Sequence, residues 1–185
     1  MGQKRASRPP NIATRPLSEL VEEFTEKGEE RFRYNHLHPY LVLLQSPADE
    51  PYEPQVKTVD GGPEGPAGLL VSKDQLAKEY AVALTKSPRN SYQDKVTVGR
   101  ARNNDIVVRS SKISKIHCMF TKVEEGGYTI EDMGSVNGTA VNGALIKKGE
   151  KIPMNDGDVV SFWRYIFEFI ELDSLVKLLQ AQIAE

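Results

Sequence analysis

The chain has 185 residues, with 24 Lys and Arg against 26 Asp and Glu and a formal charge of −2. That length suits one domain of ordinary size with extensions, and the near-neutral balance gives no global pull toward nucleic acid or anionic lipid. The lone cysteine, Cys118, excludes an intramolecular disulfide, no apolar run approaches a membrane span, and the basic start lacks the apolar stretch of a secretory signal.

Residues 1–15 carry Lys4, Arg5, Arg8 and Arg15 beside Pro9-Pro10, with no hydrophobic period. They read as a disordered basic tail. Met1-Gly2 suggests myristoylation, but Ala6 stands where that motif needs Ser or Thr. Residues 16–45 form an N-terminal segment. Leu17, Leu20, Val21 and Phe24 recur at helical spacing, with Glu19, Glu22, Glu23 and Glu26 on the other side. Pro16 suits the first helical position, and Gly28 ends the helix or weakens it. Such a helix covers an apolar surface of its own protein or docks on a partner. His36 and His38 flank Leu37 and lack a third metal ligand nearby in sequence. Leu41–Leu44 is too short to assign to helix or strand by periodicity.

Residues 46–68 hold Pro47, Pro51, Pro54, Gly61-Gly62-Pro63 and Gly65-Pro66, a linker composition. Strand-like runs follow at Tyr80–Leu84, Lys95–Val98, Asp105–Val108, Tyr128–Ile130, Ala144–Ile146, Val159–Trp163 and Tyr165–Ile170. Lys147–Glu150 is an exposed turn, and Asn155–Asp158 a tight one. Short strands at this spacing predict a mainly β sandwich or barrel. Over 172–185, Asp173-Ser174 can cap a short helix with Leu175, Leu178, Leu179 and Gln182 on one face.

Three motifs fall on loops between those strands: Gly99-Arg100, Ser114-Lys115-Ile116-His117, and Asn137-Gly138-Thr139 preceded by Asp132. Singly they are common; in this order and spacing they resemble the forkhead-associated (FHA) domain over roughly 79–171. The resemblance implies an FHA-type β-sandwich with an N-terminal helical extension and a short C-terminal helix. It also implies a phosphothreonine-peptide binding module, an adaptor in Ser/Thr kinase signalling. Its partners would be a phosphothreonine-containing protein and a Ser/Thr kinase or its substrate, in the cytoplasm, with no cofactor, nucleic acid or membrane insertion. In the family, residues matching Arg100 and Ser114 contact the phosphate, and Lys115 matches a variable position that also reaches it. The residue matching Asn137 holds the peptide backbone. Gly99, His117, Gly138 and Thr139 match positions that brace the loops, and Lys112, Ile113 and Val136 sit where loop shape sets specificity. Cys118 departs from the small residue, commonly Ala, found there.

The residue types fit that chemistry independently. Arg100 offers a planar fork for two phosphate oxygens and stays charged, and Ser114 offers a hydroxyl donor. Lys115, Arg102, Arg109 and Lys112 make this stretch basic, and Asp105 is the only acid between Lys95 and Lys115. A phosphothreonine carries about −1.5 to −2 charge. The Asn137 amide both donates and accepts, as a peptide backbone requires. His117 reads as structural, and Trp163 as core or rim.

A second reading is an FHA-like scaffold that binds partners independently of phosphorylation. An enzyme is less supported: the chain has no Gly-x-Ser-x-Gly and no Gly-rich loop ending in Gly-Lys-Ser/Thr. The basic cluster lacks the interleaved aromatics that base stacking requires. Thr14, Thr25 and Thr58, N-terminal to the domain, are candidates for self-recognition after phosphorylation, since tethering raises effective concentration.

Overall fold

The computed structural model describes residue 12 and residues 14–47, 78–124 and 126–184. Among the described residues the fold is mainly β, with three helices. The strands are β1 (Arg15–Pro16), β2 (Tyr40–Gln45), β3 (Tyr80–Ala83), β4 (Lys95–Gly99), β5 (Ile106–Val107), β6 (Cys118–Lys122), β7 (Tyr128–Asp132), β8 (Thr139–Val141), β9 (Ala144–Leu145), β10 (Lys151–Met154), β11 (Val159–Phe162) and β12 (Tyr165–Ile170). The helices are α1 (Leu17–Lys27), α2 (Glu29–Asn35) and α3 (Leu172–Ile183). One sheet has the order β1-β3-β2-β12-β11-β8-β9 and the other β10-β7-β6-β4-β5. Pairing is antiparallel, with a parallel step between β4 and β5, and short turns join β6 to β7, β8 to β9 and β11 to β12.

The two faces of the larger sheet explain its sequence. Leu41 and Leu43 of β2 enter the core between the sheets, with Val98, Phe120, Ile130, Phe162 and Phe167. Tyr40 and Val42 enter a second core under the helices, with Leu17, Leu20, Phe24, Phe32, Leu175 and Leu179. A strand buried on both faces is an unbroken apolar run, so the undecided segment Leu41–Leu44 is a strand, paired with β12 and β3. Truncating a fully buried leucine such as Leu41 costs about 2–5 kcal/mol. Helix α1 thus uses its stripe on its own sheet, and Phe32 extends the stripe into α2.

Several local expectations change. The end of the basic tail is ordered: Ile12 is buried in the inter-sheet core and bridges Val108, because its apolar side chain finds a place between the sheets. Pro16 ends β1 beside Tyr80, and the helix opens at Leu17, whose N–H donates to Glu79 O at 2.8 Å. Asp173 and Ser174 lie inside α3. Its start is held by Asp156 of the β10–β11 turn, which accepts from Glu171 N–H (2.7 Å) and Ser174 Oγ (2.5 Å). Trp163 is buried in the core as the first residue of the β11–β12 turn, at φ 55°. Strand β10, missed in the sequence, is a sheet edge carrying Pro153, where a missing N–H is tolerated. The linker 46–68 lies outside the described residues from 48 onward.

One polar cluster fastens the N-terminal segment. Glu23 of α1 accepts from Arg15 (2.6 Å), Lys27 (2.8 Å) and His36 Nε2 (3.1 Å), while Tyr40 OH meets His36 Nδ1 at 2.5 Å. Burial opposes the charge on Glu23, but hydrogen bonds from Lys27, Arg15 and His36 outweigh it and bring its pKa to about 2. A depressed carboxylate stabilises fully above its ordinary value of 4.5 and loses that contribution as pH falls toward the folded value. Glu23→Gln should therefore cost about 1–2 kcal/mol at pH 7. In urea unfolding the gap from wild type should close as pH falls toward 2; a gap independent of pH would refute the assignment.

Candidate functional site

Three loops meet at one end of the sandwich, tied by backbone bonds. After β4, Arg100 N–H donates to Ser114 O (2.9 Å) and Ala101 N–H to Lys115 O (3.2 Å), while His117 N–H returns to Val98 O (2.7 Å). Gly99 is needed at this crossing, because a Cβ there would lie 2.4 Å from Lys115 O and 2.9 Å from Asn104 Nδ2. Asn104, buried and missed in the sequence, donates to Ala101 O (2.8 Å) and Lys115 O (2.7 Å), locking the first loop to the second. In sequence, Asn103-Asn104 is a polar pair of a kind common in turns, with nothing to mark a lock between loops.

The third loop joins through three contacts. Val136 N–H donates to Ser114 Oγ (3.1 Å), Asn137 Nδ2 donates to Lys112 O (2.7 Å), and Met133 N–H donates to His117 O (3.0 Å). His117 is fully buried between loops. Its Nδ1 accepts from Ser114 N–H (3.2 Å), so the ring proton sits on Nε2 and is donated to Gly138 O (3.0 Å). Gly138 turns the chain at φ 75°. Thr139 is buried, and its hydroxyl donates to Asp132 (2.7 Å), so it braces from inside.

Burial holds the His117 pKa below its ordinary value; the Gly138 carbonyl and Asp132 charge oppose this only in part. In acid the unfolded chain takes a proton that folded His117 refuses, so stability falls with pH below the ordinary histidine value. An NMR titration should find the neutral Nε2–H tautomer at pH 6; an imidazolium there would contradict the bonding.

The charge at this end is positive by construction. Arg100, Arg102, Arg109 and Lys115 are exposed, and among the described residues the Arg100 guanidinium has no hydrogen bond or ion pair. Among the described residues Asp105 makes no ion pair with them. It accepts from Ser87 N–H (2.6 Å), Thr97 N–H (2.7 Å), Thr97 Oγ1 (3.1 Å) and Asn90 Nδ2, all on the inner side of the loop. Burial raises its pKa, but bonds from Ser87, Thr97 and Asn90 leave it below the ordinary value.

The structure brings the sequence-selected residues Arg100, Ser114, Lys115, His117, Asn137 and Gly138 into this joined set of loops, with Lys112 half-buried and Val136 77% exposed at its surface. Ile113 differs: it is 1% exposed in the inter-sheet core, so it anchors the second loop and is not offered to a ligand. Asn137 spends one N–H on Lys112 O, leaving its other N–H and its carbonyl for a ligand. Of the threonines considered for self-recognition, Thr14 is half-buried with its N–H on Ile12 O. Thr25 bonds Val21 O within α1. Neither is presented as a free extended segment, and Thr58 lies outside the described residues.

The fold and site define a β-sandwich module whose loops form one donor-rich surface. Residues 96–163 match the family model for the FHA domain. Over those residues the chain is similar to an FHA domain. It is 33% identical over 127 residues to the probable serine/threonine-protein kinase fhkA of Dictyostelium discoideum, across 64% of this chain and 20% of that one. It is 29% identical over 131 residues to the glycogen accumulation regulator GarA of Mycolicibacterium smegmatis, across 71% of this chain and 75% of that one. The chain thus spans about a fifth of the kinase and three quarters of the regulator. The solution structure of the FHA domain of an Arabidopsis thaliana hypothetical protein is 20% identical, with TM-score 0.46, over 72% of this chain and 85% of that one. Among the described residues no helix is long and apolar enough to cross a membrane.

Proposed function

We propose that this chain reads phosphothreonine in a protein partner and serves as a cytoplasmic adaptor in Ser/Thr kinase signalling, without catalysis of its own. One observation carries the reading. The Ser114 hydroxyl accepts from Val136 N–H, so its own proton is left to donate, and it stands one backbone bond from the uncommitted Arg100. A hydroxyl donor and a fixed cation on loops braced from beneath are what a doubly charged ester requires. Arg100, Ser114 and Lys115 take the phosphate oxygens, and Asn137 takes the peptide backbone with its remaining N–H and carbonyl. Lys112 and Val136 line the approach and select flanking residues. The recognition unit is the sandwich of 79–171, completed by β2, with the helices on its outer face.

A degenerate peptide library, phosphorylated and unphosphorylated, tests the reading. Micromolar capture, about −8 kcal/mol, is expected for phosphothreonine peptides alone. Equal capture of both libraries would replace the reader with a phosphorylation-independent scaffold.

A further inference from the structure

We infer that Lys148, on the turn between β9 and β10, is a second anion-reading group of this site, taking a carboxylate or a further phosphate carried by the ligand beyond its phosphothreonine; the inference rests on the phosphopeptide reading. The loop motifs do not include this residue, and from sequence its turn is only an exposed connection. In the structure the Lys148 side chain lies across Gly134, the residue that begins the third loop. A Cβ built on Gly134 would come within 3.1 Å of Lys148 Cδ and Cε and 3.4 Å of Nζ. Gly134 also has φ 76°, a conformation L side chains rarely adopt, so the backbone under the lysine stays bare. The turn is fastened to the same loop by Gly149 N–H, which donates to Asp132 O at 3.1 Å.

The ammonium is therefore laid along the loop that carries Val136 and Asn137, and among the described residues the nearby acids make no ion pair with it. Asp132 is buried, and its oxygens already accept from Gly134 N–H, Ser135 N–H, Ser135 Oγ and Thr139 Oγ1. Glu150 caps the turn itself, accepting Lys147 N–H at 3.1 Å. Among the described residues Lys148 has no ion pair. Lys147 and Lys151 flank it and add charge of the same sign. A cation held against a recognition loop, with no ion pair among the described residues, is placed to meet an anion on the ligand.

The test uses the full chain and fluorescent phosphothreonine peptides of three kinds: neutral flanks, one Asp placed in turn at each flanking position, and a second phosphothreonine placed likewise. Wild type should bind at least one acidic series about fivefold tighter than the neutral peptide. Lys148→Ala should keep the neutral-peptide affinity and lose that gain. Thermal unfolding should report that the variant is folded. A gain from the second phosphate alone assigns the contact to phosphate; a gain from Asp as well assigns it to any anion. A gain that survives Lys148→Ala, or no gain at any position in wild type, overturns the inference while leaving the phosphothreonine reading in place. Equal binding of phosphorylated and unphosphorylated neutral peptides overturns both.

Discussion

Arg100→Ala should weaken phosphopeptide binding about 100-fold, with roughly 3 kcal/mol lost, and leave the unfolding temperature unchanged. The two effects separate because this residue does two jobs with different atoms. Its backbone N–H ties the first loop to Ser114 O, and alanine keeps that bond. Its side chain is exposed and makes no hydrogen bond or ion pair among the described residues, so its removal costs the fold nothing. What goes, on the proposed reading, is a planar fork suited to two phosphate oxygens. Arg100→Lys should recover only part of the loss, since a point charge cannot reproduce two parallel bonds. Anisotropy titrations of one phosphopeptide against the three proteins, with melting curves alongside, decide the matter. Wild-type affinity in the alanine variant would remove the guanidinium from the site. A parallel fall in stability would mean the side chain supports the fold instead.

The parts of the site legible in sequence are those where one residue type does one surface job. Arg100, Ser114 and Asn137 sit on loops at short range from their strands, so their order along the chain survives in space. What was illegible depends on partners remote in sequence or on which way a side chain faces. Leu41–Leu44 shows no alternation because β2 is covered by a second sheet on one side and helices on the other. The start of α3 is held by Asp156, a residue of a turn two strands earlier, through Glu171 N–H and the Ser174 hydroxyl, while Asp173 pairs with Arg33. Ile113 resembled a specificity residue by position, yet an isoleucine beside an open core gains more by burial than by exposure. Asp105 is the single acid within the basic stretch, and its carboxylate faces Ser87, Asn90 and Thr97. Charge read along a sequence says nothing about which side of a loop it occupies.

Asp132→Ala should destabilise the protein by about 3 kcal/mol and depress phosphopeptide affinity in whatever fraction remains folded. One carboxylate oxygen accepts the N–H groups of Gly134 (2.8 Å) and Ser135 (2.9 Å), and the other accepts the hydroxyls of Ser135 (2.6 Å) and Thr139 (2.7 Å). Alanine orphans all of these donors at once, and Thr139 is fully buried. The loop so released is the one that presents Asn137 and receives His117 through Gly138 O. Asp132→Asn should be much milder. Its carbonyl can still serve the backbone N–H groups, and the hydroxyls can rotate to accept from the new amide, whereas backbone donors cannot reverse. The same geometry fixes a pH dependence. Burial raises the Asp132 pKa, but hydrogen bonds from Ser135, Thr139 and Gly134 outweigh it and hold the value below the ordinary one. Its contribution is therefore complete above the ordinary aspartate range and is lost as pH falls toward the folded value. Wild type should lose melting temperature on that acid limb more steeply than Asp132→Asn, which has no proton to take up there. Parallel melting curves from pH 7 to pH 3 would show that the carboxylate charge is not what organises the loop.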